Sequence, residues 1–181
     1  MPEPPNDQNF REIDNIPALV AALAHDDPVE RNHTREALVA IGKPAVKYLV
    51  KLMSDPRSHV GWEAAKALGP IGDPAAAQAL VNALEDEDTD VRWLAAAGMI
   101  TLGCSGLQPL LVALIDRPDS IWLRDGAHHV FHDLVGKLPF QLARRMLNVL
   151  DQPEPELAIP QVANESLNAL KTLFGDAEES T

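Results

Sequence analysis

One apolar pattern returns five times along the chain at almost constant spacing. Leu19, Val20 and Leu23 are followed by Leu49, Val50 and Met53, by Leu80, Val81 and Leu84, by Leu111, Val112 and Ile115, and by Leu142, Ala143 and Met146. The offsets between first members are 30, 31, 31 and 31 residues. A register held that long identifies a repeat architecture, in which each unit buries its apolar face against its neighbours. Within each triplet the i, i+1, i+4 spacing places the side chains on one side of a helix. These segments are the A helices. Asn15 before Pro17, Pro44 after Lys43, and Asp73-Pro74 mark three of their starts, because proline in a first turn gives up an N–H that has no intrahelical partner there.

A second, B helix is expected after each A helix. The turns between them are acidic: Asp26-Asp27-Pro28, Ser54-Asp55-Pro56, Asp86-Glu87-Asp88 and Asp116-Arg117-Pro118-Asp119. Asp and Ser there accept from free N–H groups and suit the positive end of a helix. The B helices carry Val60, Ala64, Ala65, Ala67, Leu68 and Ile71, then Val91, Ala95, Ala96, Gly98, Met99 and Leu102. Small residues at these positions let helices approach to the short end of the ~8–10 Å packing range. Gly42, Gly72, Gly103, Gly136 and Gly175 close the runs. The expected fold is all-α, a short α-solenoid of about five antiparallel helix hairpins. Residues 15–175 form the repeat domain. Residues 1–14 are an N-terminal tail with room for a short capping helix, and 176–181 an acidic C-terminal tail. The insertion Gln152–Glu156, placed before a last helix containing Val162, Leu167, Leu170 and Leu173, is expected to make the fifth unit a terminal cap.

Composition narrows the function. The 27 acidic and 15 basic residues leave a net charge of −12, which opposes binding to nucleic acid or an anionic membrane and favours a protein partner with a basic surface. A single cysteine, Cys104, permits no internal disulfide. The first residues lack a basic segment followed by an apolar run, and no apolar stretch reaches the ~18 residues of a membrane span. The expected location is cytoplasmic.

The run Asp86-Glu87-Asp88-Thr89-Asp90-Val91-Arg92-Trp93-Leu94-Ala95-Ala96-Ala97, with Ile71-Gly72-Asp73-Pro74, resembles a HEAT-like repeat of the bilin-lyase type. The resemblance covers about residues 15–175. It implies an armadillo-type superhelix whose concave surface is lined by B helices. The fold hosts unrelated roles, so it does not by itself assign one. Accessory subunit of a bilin lyase or a similar maturation factor is the alternative it suggests.

On that B-helix surface, Trp62 and Trp93 hold one slot in adjacent repeats, which Asp125 and Asn164 hold in the next two. One turn on stand Lys66, Ala97, His129 and Asn168. Paired tryptophans suit a binding hot spot; indoles filling space between repeats are the competing reading. Trp122 is expected to pack against the turn between helices. Asp125, His129 and His132 share a helical face, and His128 and His132 form an i, i+4 pair, so this helix offers a thin candidate metal set, outweighed by its reading as a polar face. Deoxyhypusine hydroxylase resembles this architecture and uses His-Glu dipeptides; here Trp62-Glu63, Trp93-Leu94, Asp125-Gly126 and Asn164-Glu165 stand in the matching positions. The expectation is therefore a non-catalytic scaffold without cofactor, binding a partner through Trp62, Lys66, Trp93, Asp125, His129 and His132.

Overall fold

The computed structural model describes residues 15–138 and 141–175, and every statement below concerns those residues. Ten α-helices follow one another: α1 (Ile16–Ala22), α2 (Pro28–Ile41), α3 (Lys43–Leu52), α4 (Ser58–Ile71), α5 (Ala77–Ala83, entered through a 3-10 turn, Pro74–Ala76), α6 (Thr89–Leu102), α7 (Cys104–Asp116), α8 (Ile121–Asp133), α9 (Leu142–Leu150) and α10 (Pro155–Gly175). Among the described residues there is no strand. The odd-numbered helices are the A helices and the even-numbered ones the B helices, so the chain is an all-α solenoid of five hairpins. The two tails lie outside the described residues.

The helix starts follow the acidic turns, with one exception. Asp27 accepts from the N–H of Val29, Asp88 from that of Asp90, and Ser120 from that of Leu123. In the second hairpin Arg57, not Ser54 or Asp55, precedes α4 and supplies no side-chain cap. Asp55 instead takes both the backbone N–H and the guanidinium of Arg57. Those hydrogen bonds hold its carboxyl at about 2, below the ordinary carboxylate range. A second device, unforeseen from sequence, recurs at the fourth residue of three B helices. Arg31 donates to the carbonyls of His25 and Asp26, Arg92 to those of Asp86 and Glu87, and Arg124 to that of Pro118. Each guanidinium ties the acidic turn back onto its own helix.

Most triplet residues enter the core: Leu23, Leu49, Leu80, Val81, Leu84, Leu111, Leu142, Ala143 and Met146 are buried. Val112, the middle member of the fourth triplet, is exposed. An i+1 neighbour lies about 100° around the helix from its predecessor, at the margin of the apolar stripe. The small-residue stripe does what its composition predicts. A Cβ placed on Gly69 of α4 would stand 3.7 Å from the Cα of Gly98 on α6, so these helices meet glycine to glycine. Gly72 closes α4 in the left-handed conformation, φ 62 and ψ 27, where a Cβ is disfavoured.

Through the first four repeats the layers are regular, with A helices beside A helices and B beside B. The fifth hairpin reverses this order. Its A helix, α9, packs against the B helix α8, and its B helix, α10, packs along the A helix α7. Earlier B-to-A connections are no more than a few residues long and return the chain at once to the A layer. Residues 134–141 separate α8 from α9, enough chain for α9 to lie down beside α8 instead. The expectation that Asn164 and Asn168 continue the B-helix surface is therefore corrected, because α10 runs in the opposite layer. Nor is Gln152–Glu156 wholly an insertion: α10 begins at Pro155 and extends 21 residues.

Candidate functional site

The fifth residue of each of the first four B helices is Asn32, Trp62, Trp93 and Asp125, and the ninth is Glu36, Lys66, Ala97 and His129. Regular stacking of α2, α4, α6 and α8 brings these positions into rows. The rows are not uniform. Trp62 is half-buried and packs against the core. Lys66 holds its ammonium 4.2 Å from the Trp62 ring centroid and Arg35 its guanidinium 6.0 Å from it. Trp93 is 61% exposed. Its indole stacks on the imidazole of His129, with centroids 4.4 Å apart and planes 29° from parallel.

Trp93, Asp125, His129 and His132 line an open cleft of about 370 Å³ between α6 and α8, together with Arg92, Trp122 and His128. Trp62 and Lys66 lie outside it. The second indole of the cleft is therefore Trp122. That residue is 46% exposed, and the Arg92 guanidinium covers its ring at 4.8 Å. Because Arg92 also binds the turn carbonyls, it fixes the indole beside Trp93. Asp125 is exposed at the cleft surface.

Two of the three histidines of α8 turn to separate carboxylates. His128 Nε2 lies 3.1 Å from Asp151 and His132 Nδ1 lies 3.2 Å from Asp133, while the two rings stack loosely at 6.5 Å. Among the described residues no three His, Cys, Asp or Glu side chains converge as a metal site would require. Cys104 is exposed at the first position of α7.

One buried charge escaped the sequence reading. Glu63 is 3% exposed and accepts from Arg31 Nε at 3.3 Å and from Arg35, both on the preceding B helix. Arg35 also donates to Asn32. A signal was present: Glu63 stands three residues after Val60 and four before Ala67, inside the apolar phase of α4. An acid there must be paired to be tolerated. This triad braces the B-helix layer beneath Trp62.

A match to a protein family agrees with the architecture over residues 16–100. Residues 16–100 match the HEAT repeats family, so that part of the chain is built of HEAT repeats. Among curated proteins no sequence matches. Two solved structures, each of an engineered protein from the Northeast Structural Genomics Consortium, are similar. The first is 18% identical, covers 91% of this chain and 85% of that one, and has a TM-score of 0.47. For the second the values are 21%, 86%, 47% and 0.45, so this chain spans about half of it. Among the described residues no helix is long and apolar enough to cross a membrane.

Proposed function

We propose that this HEAT-repeat chain is a non-catalytic scaffold that binds a protein partner on the face formed by α4, α6 and α8. The observation carrying this reading is the exposed Trp93 indole, held by His129 and set beside the half-exposed Trp122 in one cleft. Leaving two indoles in water forgoes a large apolar burial, and tryptophans are enriched where partners bind. Both rings are held by contacts to His129 and Arg92, so little side-chain freedom remains to be lost on binding. Trp62 and Lys66 extend the same face toward the N-terminus, and Asp125, His129 and His132 supply its polar side. The site set is thus Trp62, Lys66, Trp93, Asp125, His129 and His132, with Trp122 added. A net charge of −12 favours a partner whose surface is basic.

The test is affinity capture from the native organism with immobilised wild-type protein and with Trp93→Ala, read by mass spectrometry. A partner held by wild type and lost by the variant, whose helical circular dichroism should be unchanged, supports the reading. Equal capture by both proteins refutes this face as the binding surface.

A further inference from the structure

The three tryptophans of the chain differ in what covers them. Trp62 has Lys66 and Arg35 over its ring, and Trp122 has Arg92. Among the described residues no cation lies over Trp93. One face of its indole rests on His129, and most of the remaining surface is open. In the same cleft Asp125 is exposed and, among the described residues, makes no ion pair or side-chain hydrogen bond. An electron-rich ring face and an unpaired carboxylate share one cleft on a strongly acidic protein.

We propose that this cleft receives an arginine side chain of a partner polypeptide, its guanidinium laid on the open face of Trp93 and its N–H groups donated to Asp125. The proposal deepens the scaffold reading and rests on it. A cation is attracted to the face of an indole more strongly than to other aromatic rings. A guanidinium is flat, delocalised and weakly hydrated, so it can stack and donate to a carboxylate together; an ammonium is a compact, strongly hydrated charge. Arg92 on Trp122, one position away in the cleft, shows the same stacking made within the chain at 4.8 Å.

An acidic ligand fits less well, because the guanidinium of Arg92 and two of the three cleft imidazoles already have partners. Arg92 donates to the carbonyls of Asp86 and Glu87 and to Thr89, His128 faces Asp151, and His132 faces Asp133. The overall negative field also draws a basic segment toward the surface before contact is made.

A phage-displayed library of random dodecapeptides, selected on the full chain and counter-selected on a Trp93→Ala/Asp125→Asn double variant, provides the probe. Arginine should be enriched at one fixed position. In a selected peptide, replacing that arginine by neutral citrulline should abolish measurable binding, and replacing it by lysine should weaken binding. Asp125→Asn should weaken binding about two- to fivefold, the range of an exposed charge pair, while Asp116→Asn, outside the cleft, should leave it unchanged. Enrichment of acidic or purely apolar residues, no enrichment, lysine binding as tightly as arginine, or full affinity in Asp125→Asn each overturns the arginine assignment. Selected peptides that need Trp93 but no arginine would leave the scaffold reading standing. Peptide binding and native partner capture that both ignore Trp93 would remove that reading as well.

Discussion

Replacing Glu63 by Ala should cost more stability than its place on an interaction surface suggests. The carboxylate is 3% exposed, and the side chains of its partners Arg31 and Arg35 are 18% and 11% exposed. Removing one member of a fully buried ion pair costs about 3–5 kcal/mol, because the other charge stays desolvated. An exposed pair is worth about 0.2–1 kcal/mol. Arg35 lies near the first limit. Arg31 lies between them and keeps the carbonyls of His25 and Asp26. The expected loss is about 2–4 kcal/mol, which at about 2–4 °C per kcal/mol for a domain of this size lowers Tm by roughly 5–15 °C. Thermal melts followed by circular dichroism measure the shift. Hydrogen exchange should place the loss mainly in α1–α4, since each repeat contacts only its neighbours. The double variant Arg35→Met/Glu63→Leu removes the most buried charges together and should recover at least half the loss. A Glu63→Ala protein melting within about 2 °C of wild type, or losing protection equally in α6–α8, would refute the buried-pair reasoning.

Four further outcomes are expected. Gly98→Leu should destabilise by about 1–3 kcal/mol by overpacking, because even a Cβ there would stand 2.9 Å from a methyl of Leu80 and 3.6 Å from the Cα of Gly69; an unchanged urea midpoint would show that the contact opens without cost. Trp62→Ala should lose about 1–3 kcal/mol, part of the cost of a fully buried ring, whereas Trp93→Ala should lose under about 0.5 kcal/mol; equal Tm values for the two would contradict their burial. Asp55 should titrate near 2 by NMR and return toward the ordinary value in Arg57→Gln; its folded value lies below the unfolded one, so its small contribution is complete above about 4 and fades as pH falls toward 2. Deleting residues 152–181 should leave α2–α6 protected from exchange but strip α7 of its principal neighbour, α10; undiminished protection in α7 would show that the reversed hairpin is not what holds it.

The fold was legible wherever local pattern and tertiary contact agree. The Leu-Val-Leu register specified five A helices, and Gly98 announced a close approach that the structure places against Gly69. The reversal of the fifth hairpin was not legible. Leu142, Ala143 and Met146 keep the A-helix phase and are buried, and phase says which side of a helix is covered without saying by which neighbour. At the site, Trp93 and Asp125, which hold one slot in adjacent repeats, line one cleft with His129 and His132 from the Asp125 side of α8. Trp62 does not line it, because the cleft opens between α6 and α8 and Trp62 stands one helix away on α4. Trp122 escaped because its place in the cleft depends on Arg92, a residue of the preceding repeat. Glu63 escaped for the same reason, its partners lying 28 and 32 positions away.

The reversed hairpin also decides where the molecule bends. A stack of units that touch only their neighbours flexes as a spring, with its compliance shared among the joints. At the C-terminal end that sharing stops. Helix α8 is clasped by α9 and α7 by α10, while α7 and α8 make little contact with each other, so both halves of the fourth hairpin are tied to the fifth. These four helices pack as one block. The first B-layer joint beyond the block is the one between α6 and α8, whose two walls carry Trp93 on one side and Trp122 with His129 on the other. The width of the cleft is therefore a gauge of curvature: a ligand wedged between those walls stiffens the spring, and tension along the stack loosens the grip on the ligand.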